Sequence, residues 1–308
     1  MTEIVEALPA ARGRPALRAA VPALARDYLT LTKPRIMSLL VLTSVCAMVA
    51  AAGGSPAPLS LAALVVGGAL ACGGASALNH VLDRDIDRLM GPRTASRPVA
   101  AGRIAPAPAA AFGLALCGLS FLVLAVFTNL LAATLAASGG AFYVLVYTLW
   151  LKRTTSQNIV IGGAAGAIPP LAGWAAAHGQ LGLGAGFLFL IVLLWTPPHF
   201  WALALLLAPH YKAAGVPMLP VVRGVSTTTR QMLLYTLALV AATLAPAVVG
   251  TFGPAYLAAA VMLDGVLGAL AWRVWRHSTP ARAAALFHYS LLYLALLFVA
   301  VAVDAVVR

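Results

Sequence analysis

Acidic residues are scarce in this chain. Eight occur in 308 positions, and none lies between Asp87 and Asp264. Charge of either sign is thin, at 9% of residues against 62% hydrophobic, where a soluble domain carries about 25% charged residues. With a mean hydropathy of +0.95, that balance excludes a soluble domain and describes an all-α polytopic membrane protein whose solvent is the lipid bilayer. Cysteine is sparse as well. Cys46, Cys72 and Cys117 fall inside apolar runs without metal-ligand spacing, and so read as small buried side chains rather than ligands or disulfides. The net charge of +12 does not indicate nucleic acid, which needs a basic face on a soluble fold. Here the basic residues lie between apolar spans.

Residues 1 to about 28 are rich in Ala, Arg and Pro and lack a long apolar core, so they are not a secretory signal peptide. They are expected to form a disordered cytoplasmic tail, residues 1–30, ahead of a transmembrane domain of residues 31–308. Glu3 and Glu6 weigh against a mitochondrial presequence, which favours a bacterial inner membrane over the mitochondrial one. Apolar spans long enough to cross a hydrocarbon core recur near 36–52, 59–78, 107–127, 131–150, 159–177, 182–205, 231–250, 255–273 and 286–306. Nine membrane helices are therefore expected. With that division, 19 of the 20 Lys and Arg residues fall on the side of the N-terminus, and Arg308 alone falls on the other. The positive-inside rule then puts the N-terminus in the cytoplasm and the C-terminus outside. Gly67-Gly68, Gly73-Gly74-Ala75-Ser76 and Gly162-Gly163-Ala164-Ala165-Gly166 are expected to let neighbouring helices approach closely.

Charge concentrates in one stretch, Asn79 to Arg103, which holds Asp83, Asp85 and Asp87 with Arg84, Arg88, Arg93, Arg97 and Arg103. If Asn79–Met90 is helical, Asn79, Asp83 and Asp87 stand at i, i+4 and i+8 on one face, and Asp85 points away. Such an oxygen column suits Mg2+, which keeps waters and substrate phosphates in its shell. Cations beside it suit a diphosphate. The competing reading is a solvated loop in which the acids pair with neighbouring arginines. Gly91-Pro92 ends the helix.

These residues resemble the first signature of the UbiA-type intramembrane prenyltransferases, Asn-x3-Asp-x3-Asp after the second helix. The stretches 31–40, 147–174, 195–205 and 210–222 extend the resemblance, and those at 147–174 and 195–222 point to the branch of that family that farnesylates heme. The resemblance implies a nine-helix bundle and transfer of a farnesyl group from farnesyl diphosphate to a vinyl group of heme B, dependent on Mg2+. Asn79, Asp83 and Asp87 would hold the metal. Lys33, Arg35, Arg84, Arg93, Arg97, Tyr147 and Lys152 would surround the diphosphate, and a heme A synthase would act downstream. On residues alone, Lys33 and Arg35 also fit a snorkelling anchor at the start of the first span.

Pro197-Pro198 is expected to break or kink the sixth span. Around it, His199 and Trp201 are candidates for heme contact, against the alternative of an interfacial aromatic belt. His210 stands where the family usually carries an acid, so an all-carboxylate second metal site cannot be built in that loop. His210 is itself a candidate for heme or metal contact. Asp264, in the eighth span, is expected to be a hydrogen-bonded structural acid facing a polar interior. Two rival functions have their own signatures. A family member acting on another acceptor, such as 4-hydroxybenzoate, would carry the second acidic motif. A transporter would place charges at mid-bilayer in several spans.

Overall fold

A computed structural model describes residues 14–308. Helix α1 (Arg14–Leu31) occupies most of the stretch expected to be a disordered tail; residues 1–13 of that tail lie outside the described residues. The order at its C-terminal end has clear causes. Leu31 is fully buried, Tyr28 packs edge-on to Phe112 with centroids 4.9 Å apart, and Arg103 donates to both carboxylate oxygens of Asp27 at 2.9 Å.

Among the described residues, nine helical spans are long and apolar enough to cross a membrane, as the hydropathy pattern requires. They are α2 (Pro34–Ala51), α3 (Pro58–Leu82), α6 (Pro106–Phe127), the composite span beginning with α7 (Leu130–Ala141), then α9 (Asn158–His178), α10 (Leu183–Leu206), α12 (Leu219–Val248), α13 (Pro254–Arg276) and α14 (Pro280–Val307). Short helices α4 (Arg84–Leu89), α5 (Pro92–Ala95) and α11 (Ala208–Ala213) sit in the connections. Several helices open on proline at their first position (Pro34, Pro58, Pro92, Pro106, Pro254, Pro280). Proline is preorganised for that place, and its missing N–H costs nothing there.

Packing follows the chain in two groups: α3, α6, α7 and α9, then α10, α12, α13 and α14. Helix α2 touches α3, α9 and α14, and so joins the groups along one side, while α9 on α10 joins them along the other. Small residues allow this closeness. A Cβ on Gly173 of α9 would lie 1.9 Å from the Ser44 carbonyl oxygen of α2, and one on Gly74 would lie 2.6 Å from Cys117 Sγ. Gly67, Gly73, Gly162 and Gly163 also meet neighbouring side chains, but Gly166 has nothing within 4 Å.

Several expectations need correction. The seventh span starts at Leu219 and bends at Gly224 (φ 76°, ψ 174°), a conformation open to glycine; the expected start near 231 followed the long apolar run and missed the more polar turns from Arg223 to Arg230. The ninth span starts at Pro280, not 286. Helix α10 runs on through Pro197 and Pro198 without the break that was one of the two expectations, and it packs against α9, α12 and α14. The fourth span is not α-helical throughout. Phe142–Leu151 is a π-helix, continued by the single turn α8 (Lys152–Thr154).

Candidate active site

The aspartate column survives a break. Asp83 leaves α3 and starts α4 with φ −89° and ψ 6°, yet its N–H still donates to Asn79 O at 2.9 Å and its carbonyl accepts from Asp87 N at 2.8 Å. The four-residue spacing therefore persists, and Asn79, Asp83 and Asp87 are all buried, at 3%, 0% and 1% exposure. The side chain of Asp85 is 61% exposed. Arg153 grips it at 2.7 and 2.8 Å, and that hydrogen-bonded guanidinium holds its carboxyl below the usual carboxylate range. The helix ends at Leu89, one residue before Met90, and Gly91 (φ 106°) turns the chain into α5.

Each buried group meets a distant partner. Lys33 Nζ donates to Asn79 Oδ1 at 2.9 Å, and Asn79 Nδ2 donates to Asp83 Oδ2 at 2.7 Å and to Thr148 Oγ1 at 3.1 Å. Lys152 Nζ closes on the same Asp83 oxygen. Arg97 donates to Asp87 Oδ1 at 2.6 Å. One oxygen of each carboxylate, Asp83 Oδ1 and Asp87 Oδ2, is buried without a hydrogen-bond partner, although the Arg153 guanidinium lies 3.8 Å from Asp83 Oδ1. A buried carboxylate oxygen left unpaired is costly unless a cation or donor meets it. Mg2+ fits that pair, since it takes oxygen donors and fills its octahedron with water and substrate phosphate. Among the described residues no group of three or more His, Cys, Asp or Glu side chains is placed to hold a metal. The protein thus offers two carboxylates and an amide oxygen, a partial shell of the kind Mg2+ shares with a phosphate ligand.

Lys33 holds φ 49° and ψ 60°, and is the non-glycine residue with positive φ among the described residues. For a side chain with a Cβ this left-handed geometry costs about 1–2 kcal/mol. Loss of solvation lowers its pKa to about 7, assisted by the positive charges of Arg97 and Lys152. Not every predicted cation joins the cluster. Arg35, Arg84 and Arg93 are exposed, and Arg84 turns back to Val81 O at 3.1 Å. They follow exposed helix faces, which a linear count of arginines cannot distinguish from the inner one. Tyr147 is stacked on Tyr143 (5.5 Å, 21°) and presses on Gly162, whose Cβ would lie 2.4 Å from its ring. Thr148, fully buried on the π-helix, joins the site without a motif to announce it. Its only signal is its place in the resembling stretch.

The heme candidates separate. His199 is buried between Trp195 (4.3 Å, 14°) and Phe287 (4.8 Å, 20°), so the aromatic-belt reading fails: these rings lie inside the bundle. The Ser290 hydroxyl donates to Phe287 O at 2.7 Å and lies 2.7 Å from His199 Nδ1. If the Ser290 proton stays on Phe287 O, Ser290 accepts from Nδ1–H, and Nε2 keeps its lone pair. Trp201 faces α12 instead, edge-on to Tyr235 at 5.5 Å, with its indole N–H buried and unpaired. His210 is exposed on α11 beside the Gly91 turn, where a Cβ on Gly91 would lie 2.8 Å from its ring. The three do not share one wall. Asp264 is the structural acid expected, bound by Thr243 at 2.6 Å and Tyr293 at 2.7 Å.

Comparison with known proteins agrees with this arrangement. The model of the UbiA prenyltransferase family matches residues 40–299. A protein of Gloeobacter violaceus called protoheme IX farnesyltransferase is 52% identical over 96% of this chain and 96% of its own length. One of the same name from Roseiflexus sp. is 51% identical over 93% of this chain. The chain spans about half the length of that relative, 53%. Among solved structures, a digeranylgeranylglyceryl phosphate synthase in membranes superposes with a TM-score of 0.76 over 92% of this chain and 99% of its own, at 19% identity. A UbiA homologue from Archaeoglobus fulgidus bound to GPP and Mg2+ superposes at 0.61 over 89% of this chain and 99% of its own, at 16% identity. These last two share the fold alone. The buried aspartate column, the nine membrane-length spans among the described residues and the match over most of the chain agree in one conclusion: it belongs to the UbiA prenyltransferase family.

Proposed function

We propose that this chain transfers the farnesyl group of farnesyl diphosphate to a vinyl group of heme B, with Asp83 and Asp87 as the centre of the site. The observation that supports the chemistry is the pair of buried, unpartnered oxygens on those two residues, ringed by Lys33, Lys152 and Arg97. The acceptor rests on the relatives about half identical to the chain across nearly its whole length.

Asn79, Asp83 and Asp87 would hold Mg2+, which when bound supplies charge neutralisation to the diphosphate. Lys33, Lys152 and Arg97 each already contact the column, and each is placed to transfer its charge to diphosphate oxygens as the substrate enters. The C–O bond of farnesyl diphosphate breaks, and the diphosphate leaves with the bonding pair. Stabilising that charge as it develops is the main catalytic contribution asked of these residues. The vinyl π electrons form the new C–C bond to the farnesyl carbon, and water captures the resulting cation with loss of a proton. The apolar bundle shields the allylic cation from stray water. His199, with its Nδ1 paired to Ser290 and its ring clamped, is the better of the heme candidates, because a hydrogen bond to one ring nitrogen is how proteins orient an iron-ligating imidazole through the other.

The catalytic domain begins near residue 31, with the N-terminus in the cytoplasm of a bacterium and the C-terminus outside. A different acceptor is disfavoured by the absence of an acid between Asp87 and Asp264. The test is direct. Membranes carrying the chain, given heme B, farnesyl diphosphate and Mg2+, yield a farnesylated heme by mass spectrometry. Prenylation of 4-hydroxybenzoate instead, with heme untouched, would overturn the acceptor.

A further inference from the structure

Asn158 is the first residue of α9, fully buried, and neither its amide nitrogen nor its amide oxygen has a hydrogen-bond partner. Both halves of an amide orphaned inside a bundle is an expensive arrangement, because each loses water and gains nothing. Nothing in the packing of α9 demands an amide here: Asn158 does not cap the helix, a place taken by Gln157.

Its position follows from three contacts. Gly162 lies one turn further along α9 on the same face, and it presses on Tyr147 of the π-helix. Within that π-helix the Lys152 N–H bonds back to Tyr147 O. This i→i+5 step brings Lys152 toward the side of Tyr147, whereas at about 100° per residue an α-helix would set the two about 140° apart. The chain then reverses between Thr155 and Asn158, so α9 returns alongside. One turn from Tyr147 toward the loop is Lys152; one turn from Gly162 toward the same loop is Asn158. The short helix α8 that carries Lys152 packs on α9, so the orphaned amide lies at the same end of that contact as the lysine whose Nζ holds Asp83, at the N-terminus of a 21-residue helix, the end that carries partial positive charge.

We infer that Asn158 is a further ligand of the prenyl diphosphate, its amide N–H donating to a phosphate oxygen held by Lys152. The inference rests on the reading that Asp83 and Asp87 form the diphosphate site. It explains why an amide is kept where leucine would pack: the group is unpaired only until an oxyanion reaches it. A donor aimed at a charged group contributes more than one aimed at a neutral group.

The test uses full-length protein in detergent, with Asn158→Leu and Asn158→Asp beside the unaltered chain. Affinity for farnesyl diphosphate with Mg2+ is measured by calorimetry, and thermal stability is measured without ligand. Asn158→Leu should keep or raise the ligand-free melting temperature, since it removes two orphaned polar atoms, yet weaken binding by roughly 10- to 100-fold. Asn158→Asp, nearly the same in shape, should weaken it further by setting a carboxylate against the anion. Should the leucine variant fail to fold, the aspartate variant decides alone. Undiminished binding in the variants, or for Asn158→Leu a loss of binding matched by a fall in ligand-free stability, overturns the inference. If the unaltered chain itself binds no farnesyl diphosphate, the diphosphate reading of the whole site fails first.

Discussion

The ammonium of Lys152 lies on one carboxylate oxygen of Asp83, sixty-nine positions earlier in the chain, and leaves the other oxygen buried and unpaired. Breaking a buried pair by removing one member costs more than the pair is worth, since the survivor keeps its charge without compensation. The residues around that contact should therefore respond sharply to substitution.

Asp83→Asn and Asp87→Asn should each lower turnover by about 10²–10³, on the scale of losing a single preorganised charge-stabilising group, and added Mg2+ should rescue little. Asp85→Asn should cost far less, because its side chain is mostly exposed and paired only with Arg153, and exposed pairs contribute ~0–1 kcal/mol. Turnover at matched membrane expression, with farnesyl diphosphate and Mg2+ titrated separately, checks this. Equal losses at all three positions would sink the single-face arrangement.

Lys33 gives the site a pH dependence. Its pKa in the free site is about 7, against 10.5 for an ordinary lysine. A diphosphate favours the charged form, so binding above that pH takes up a proton. Affinity should be full below about pH 7 and fall as pH rises through it, by at most tenfold per unit. Lys33→Arg, charged throughout, should flatten that part of the profile. Subtracting one curve from the other removes the titration of the ligand itself. Identical slopes for the two proteins would exclude the lysine as the cause.

Two glycines of α9 should behave oppositely. Gly173→Ala forces a methyl to within 1.9 Å of the Ser44 carbonyl, and overpacking of this kind costs about 1–3 kcal/mol or more. Gly166→Ala meets nothing within 4 Å and should be neutral or slightly stabilising through lower chain entropy. Melting temperatures of the two variants in one detergent would separate them; a stable Gly173→Ala would mean that α2 and α9 are free to move apart.

The orientation prediction concerns the ends. A reporter active only outside the cytoplasm, fused after Arg308, should be active, and one inserted near Arg97 should be silent. The reverse pattern would mean that the 19-to-1 distribution of basic residues does not set the topology.

Much of this site is local and so was legible. Asn79, Asp83 and Asp87 sit at a four-residue spacing, and that spacing survives the break at Asp83 because the backbone bonds on either side are kept. What misled was also local evidence. Two adjacent prolines suggested a broken or kinked α10, and the helix continues through them without a break. Arg84 and Arg93 looked equivalent to Arg97, but whether an arginine reaches Asp87 depends on how the Gly91 turn and α5 fold back, which spacing does not carry.

By itself, the sequence determined the class of the protein, its nine spans and the place of its charge, because each span must satisfy its backbone internally and hide its polar groups from lipid. Those are properties of short segments and need no partner. The tertiary structure alone decided that Lys33 meets Asn79 across 46 positions and Lys152 meets Asp83 across 69. It also decided that a π-helix turns Thr148 toward the amide of Asn79, and that Asn158 is buried with nothing to bond. Such pairings depend on which helix faces touch. In a bundle of similar apolar helices, those faces are selected by close packing at glycines such as Gly173 and Gly162 and not by hydropathy, which the spans have in common.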